Sequence, residues 1–203
     1  MIEFKPLVDL ADKLGVIQAV KEKLVQQRDP AVEKFIIALE EISKLYSATE
    51  SELARYLSVW LEKGADNRQE RELLVSLESG PLLLRWSSAR GHCHKLNNIY
   101  KAHLDKWFVR FLKPEELDQI RILFGEFAIV EGGFVENLDA LTRWLSGQAT
   151  ETLDLLDNGR VEEANTHIRE ARKAILPFRQ QINEAMQGML QVQADLIELL
   201  GVA

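Results

Sequence analysis

The chain has 203 residues, 46% of them apolar and 28% charged, with a formal net charge of −7. That length and balance suit one large globular domain or two small ones with apolar surface enough for a core, and they exclude intrinsic disorder. The acidity argues against a nucleic-acid partner, because a basic face supplies most of that affinity.

Cys93 is the sole cysteine, so no internal disulfide can form, which fits a reducing, cytoplasmic setting. The opening Met1-Ile2-Glu3-Phe4-Lys5-Pro6 carries an early acid and no apolar run of the secretory kind. Apolar stretches such as Phe127 to Val130 fall far short of the roughly 20 residues a membrane-spanning helix needs.

In chain order, residues 6–27 place Leu7, Leu10, Leu14, Ile17, Val20 and Leu24 on one side, an amphipathic helix. Asp29-Pro30 opens the next element as cap and first helical position. Its stripe (Val32, Phe35, Leu39, Ile42, Tyr46, Thr49, Leu53, Tyr56, Trp60) alternates spacings of three and four, predicting a helix over 30–62 that Gly64 ends. A short helix over 66–79, capped by Asp66, links it to a hairpin.

The hairpin's first arm, 81–111, starts at Gly80-Pro81 with the stripe Leu82, Trp86, Ala89, Cys93, Leu96, Tyr100, His103, Trp107 and Phe111. Lys113-Pro114-Glu115-Glu116 turns the chain into the second arm, 114–157, striped by Leu117, Ile120, Phe124, Phe127, Glu131, Phe134, Leu138, Leu141 and Leu145. Ser146-Gly147 is expected to break or bend this arm before a last piece at 149–157. Asp157-Asn158-Gly159 is a turn signal, and a final helix over 160–200 repeats the same spacing from Val161 to Leu199, with a kink expected near Pro177.

Strand signals are nearly absent. The expected fold is all-α, a single domain over 1–203: an elongated antiparallel bundle of four long helices with one amphipathic and one short accessory helix. The apolar ending Leu199-Leu200-Gly201-Val202-Ala203 is compatible with a chain that continues further. Gly159-Arg160-Val161-Glu162-Glu163-Ala164 resembles the helix-to-helix turn of tetratricopeptide repeats, but it occurs once, without the period of about 34 residues that a repeat array requires.

Charge is unevenly spread: +1 over 1–28, −5 over 29–78, +6 over 79–113, −8 over 114–159 and −1 over 160–203. The basic arm (Arg85, Arg90, Lys95, Lys101, Lys106, Arg110, Lys113) precedes an acidic one (Glu115, Glu116, Asp118, Glu126, Glu136, Asp139). Complementary charge across a hairpin guides helix pairing, and that explanation is preferred to a nucleic-acid or membrane patch. Trp86 and Trp107 lie on the core stripe, poorly placed to stack on bases.

The densest reactive cluster is Gly91-His92-Cys93-His94, which holds two of the four histidines. On one helix His92 and His94 point to opposite flanks of Cys93, so they cannot converge on one metal ion. No Glu-x-x-His, His-Glu-x-x-His or Gly-rich phosphate loop is present. Metal and cofactor are therefore expected to be absent, and no catalytic residue is assigned. Across the hairpin, Cys93 should stand level with about residue 132, bringing His92, Cys93, His94 and Glu131 together as a candidate polar niche. A carboxylate there needs a partner, and His92 or His94 would serve. The preferred alternative is close helix packing, with Cys93 a small core residue, His103 a satisfied core histidine and His167 at the surface.

The expectation is an interaction or scaffold protein acting through a protein partner or self-association, without chemistry of its own. Two alternatives remain: a bundle acting on a membrane surface, resembling effector bundles in architecture only, and binding of a small molecule or metal at the polar niche.

Overall fold

The computed structural model describes residues 10–27, 31–62, 64–78, 82–125, 127 and 133–201, with the side chains at 10–13, 27, 82–87, 133, 135, 137 and 199–201 outside that description. Among the described residues the chain is helical and strand-free. The helices are α1 (Leu10–Gln27), α2 (Ala31–Leu57), α3 (Arg68–Glu78), α4 (Leu82–Ile99), α5 (Asp105–Phe111), α6 (Pro114–Gly125), α7 (Gly133–Asp157) and α8 (Val161–Gly201), with a π-turn at Tyr100–Leu104 joining α4 to α5.

The stripes act as seams. Val32, Phe35, Leu39, Ile42, Tyr46, Leu53 and Tyr56 of α2 are buried, as are Ile168, Ile175, Ile182, Met189 and Leu196 of α8. Cross-links set the directions. Glu50 meets Arg179, and Leu57 accepts from Arg172, so α2 and α8 run antiparallel. Arg71 reaches Asp157 while Glu78 meets Ser146 and Thr150, so α3 and α7 do likewise. Lys21 meets Asp195, and Leu14 lies against Gly188, so α1 runs parallel to α8. Gly188 has no Cβ, and one built there would come 2.6 Å from Leu14 Cδ2; glycine is what lets the two helices approach.

Several expectations need correction. The helix predicted to 62 ends at Leu57, because the Arg172 guanidinium donates to the carbonyls of Leu57 (2.9 Å) and Val59 and draws the chain out of its helical path. Trp60 is consequently 63% exposed and stacks on Arg172 instead of filling the core. Asn67, not Asp66, organises the entry to α3: its side chain bonds Glu62 N and O at 2.9 Å from a left-handed backbone (φ 46°).

The second arm of the hairpin divides between Gly125 and Gly133, whereas Ser146-Gly147 lies inside an unbroken α7. Ser146 spends its hydroxyl on Glu78 O at 3.0 Å, so its polarity serves a tertiary contact, not a turn. In the first arm, the wider π-turn shifts the residues after it around the helix axis. Leu104 and Phe108 thereby join Trp107 in the core, and His103 is exposed, contrary to the core position expected for it. Pro177 sits on the exposed side of an uninterrupted α8.

Candidate functional site

α2 buries a broad face because Ala38 and Leu45 widen its main stripe, and the α4 side of that face also contains Glu41. The carboxylate is 1% exposed. Left alone it would be costly, and two ammonium groups and an imidazole meet it instead. Lys95 Nζ of α4 donates to Oε1 at 2.7 Å, Lys44 Nζ reaches the same oxygen at 3.2 Å, and His92 Nδ1 lies 2.7 Å from Oε2. Lys44 is shared with Glu40 at 2.7 Å. His92 and Lys95 are one helical turn apart, so a single face of α4 supplies both groups.

Burial pushes the Glu41 carboxyl upward, but the hydrogen bonds from Lys95, His92 and Lys44, aided by the Lys44 charge, outweigh it and bring the group down to about 2. At neutral pH Glu41 is ionised and can only accept hydrogen bonds. The proton between the two side chains therefore sits on His92 Nδ1, and a neutral His92 carries its lone pair on Nε2. Among the described residues nothing hydrogen-bonds Nε2, and the side chain is 31% exposed.

The residues of the sequence-based niche are placed as follows. His92 faces α2. Cys93 is fully buried, with its thiol pushed up to about 11 by burial. His94 is exposed on the opposite flank, as the helical geometry requires. Glu131 lies outside the described residues. His167 is tucked between α7 and α8 with Nδ1 3.7 Å from Glu151, instead of standing free at the surface.

Two cations of the basic arm differ in their surroundings from a simple hairpin pairing. Lys95 turns to Glu41 of α2, and Arg110 stacks on Phe111 at 5.0 Å. In the acidic arm Asp118 and Asp139 are met by Arg121 and Arg143 of their own helices.

Among the described residues no group of three or more His, Cys, Asp or Glu side chains could hold a metal ion. No described helix is long and apolar enough to cross a membrane. Comparison with protein-family models, with curated proteins and with solved structures finds no match.

Glu41 was missed by sequence reasoning because Glu40-Glu41 reads as a solvated pair beside Ile42. The available signal was the width of the α2 apolar face: Ala38 and Leu45 stand one turn before and one turn after position 41, which puts Glu41 on a second seam of the helix.

Proposed function

We propose that this is an interaction protein of the reducing cytoplasm that acts through protein–protein contacts, with a second copy of itself as partner. One observation carries the proposal. α8 is 41 residues long, about 60 Å at the usual helical rise, and it presents a second stripe opposite its buried one. That stripe is Leu176, Gln180, Asn183, Gln187, Leu190, Ala194 and Ile197, spaced four and three apart with no charge among them. Leu176, Leu190 and Ile197 are 53%, 52% and 53% exposed, where large apolar side chains on the longest helix leave water-facing surface unmatched.

The pattern is that of a two-stranded seam, and a single asparagine within it is the kind of polar residue that sets register between like helices. Trp60 and Arg172, stacked at 5.5 Å one turn before Leu176, extend the patch at one end.

Sedimentation velocity across a micromolar to hundred-micromolar series tests the proposal. Concentration-dependent dimerisation is expected for the native chain and its loss for Leu190→Lys, a substitution at an exposed site that leaves the core untouched. A native chain that stays monomeric throughout, like the variant, refutes it.

A further inference from the structure

The Glu41–His92 pair has a use that self-association leaves unexplained. A buried carboxylate fixed on Nδ1 gives an imidazole one defined tautomer and aims its remaining lone pair away from the carboxylate. In this chain the half-buried His92 ring stands one helical turn from Lys95 on the same face of α4, and Glu41 holds both. Lys95 spends one of its three N–H donors on Glu41 Oε1 and keeps the others for an incoming anion.

The open setting narrows the chemistry. The His92 side chain is 31% exposed and Lys95 beside it 56% exposed, so both reach solvent from the surface of α4. A group at a helix surface suits a small, self-activated reactant in solution better than a substrate that must be enclosed. Metal binding would need further ligands, which the described residues do not assemble.

We propose that His92 is a phosphoryl-acceptor site: Nε2 attacks the phosphorus of an activated donor such as a phosphoramidate or an acyl phosphate. The Nε2–P bond forms as the P–N or P–O bond to the leaving group breaks, and that group departs with the electron pair as an amine or a carboxylate. The ring gains positive charge as it reacts. Nδ1–H keeps its proton, and the Glu41 carboxylate at 2.7 Å stabilises the imidazolium. Lys95, one helical turn away and largely exposed, is the nearest mobile cation on that face of α4 for the phosphoryl oxygens. Glu41 is a positioning residue here; His92 is the nucleophile.

The molecule contains its own controls. His94 and His103 are exposed histidines that no described carboxylate holds as Glu41 holds His92, and both are more open to solvent than His92. Exposure alone would modify them first. The experiment treats the folded chain with potassium phosphoramidate and follows the three histidines by peptide mass spectrometry under alkaline conditions, which preserve the N–P bond. His92 is expected to gain phosphate at least fivefold faster than His94 or His103, and Glu41→Gln is expected to remove that advantage. Nitrogen-15 spectra of the imidazoles provide a readout independent of the variant: His92 of the native chain should be the Nδ1–H tautomer. Equal or faster modification of His94 or His103, an unchanged ratio in a folded Glu41→Gln, or an Nε2–H tautomer at His92 would each overturn the proposal. Dimerisation through α8 is measured separately, so either proposal can fail alone.

Discussion

Replacing Glu41 by Gln is the perturbation whose consequence follows most directly from the structure. The ordinary carboxyl value of 4.5 falls to about 2 in the folded chain, since three hydrogen bonds outweigh burial. A depressed folded value means that folding favours the ionised form. The resulting stability is fully present above pH 4.5 and is lost as pH falls toward 2. A tenfold change in proton affinity is worth about 1.4 kcal/mol, so the ionised form contributes about 3 kcal/mol at pH 7, of which roughly 2 kcal/mol is gone by pH 3.

Urea unfolding followed by circular dichroism, at half-unit steps from pH 7 to pH 3, measures this for the native chain and for Glu41→Gln. Carboxyls away from this cluster titrate alike in both, so the difference between the two curves reports on Glu41 and the groups bonded to it. The native chain should be the more stable at pH 7, and the gap should narrow by about 2 kcal/mol on acidification. A gap that stays constant with pH would refute the reasoning, because it would mean that Glu41 titrates alike in the folded and unfolded chain.

The same cluster should be asymmetric to substitution. Glu41→Met replaces a buried charge by a flexible apolar chain and frees the partly exposed His92 and Lys95 to return to water while Lys44 keeps Glu40, so urea melts at pH 7 should show a loss of no more than about 1.5 kcal/mol. The double variant His92→Leu, Lys95→Met leaves the carboxylate buried with Lys44 alone, and should cost about 3 kcal/mol or more. Cys93, fully buried with its thiol raised to about 11, should resist a thiol-specific disulfide reagent in the native chain and react promptly in denaturant; prompt labelling without denaturant would show that α4 does not cover it.

How the site came to be half legible follows from the same residues. The segment 91–95 stands out in the sequence because imidazoles, a thiol and a lysine crowd together there, and the helical angle between His92 and His94 already shows that they face apart. His92 and Lys95 share a face for the same reason. Their partner was not legible, because Glu41 lies 51 residues earlier and only the packing of α4 on α2 brings it within 2.7 Å. Tyr100 stacks on Phe124 at 4.5 Å, near the level that an antiparallel pair about a turn at 112–113 requires, whereas the level of Glu131 lies outside the described residues.

Periodicity by itself determined the all-α class and most of the buried surface, since spacings of three and four leave an apolar edge that only another helix can cover. Caps and turn residues determined the starts at Pro114 and Val161. Where a long stripe stops being helix was decided by tertiary contacts: Arg172 takes the carbonyls beyond Leu57, and the π-turn after Ile99 exchanges His103 for Leu104. Such choices compare a local helical hydrogen bond with a contact more than 100 residues away, and only the folded chain has both to compare. Charge pairing belongs to the same class, for a carboxylate's neighbours are set by which helix lands on it, not by which residues precede it.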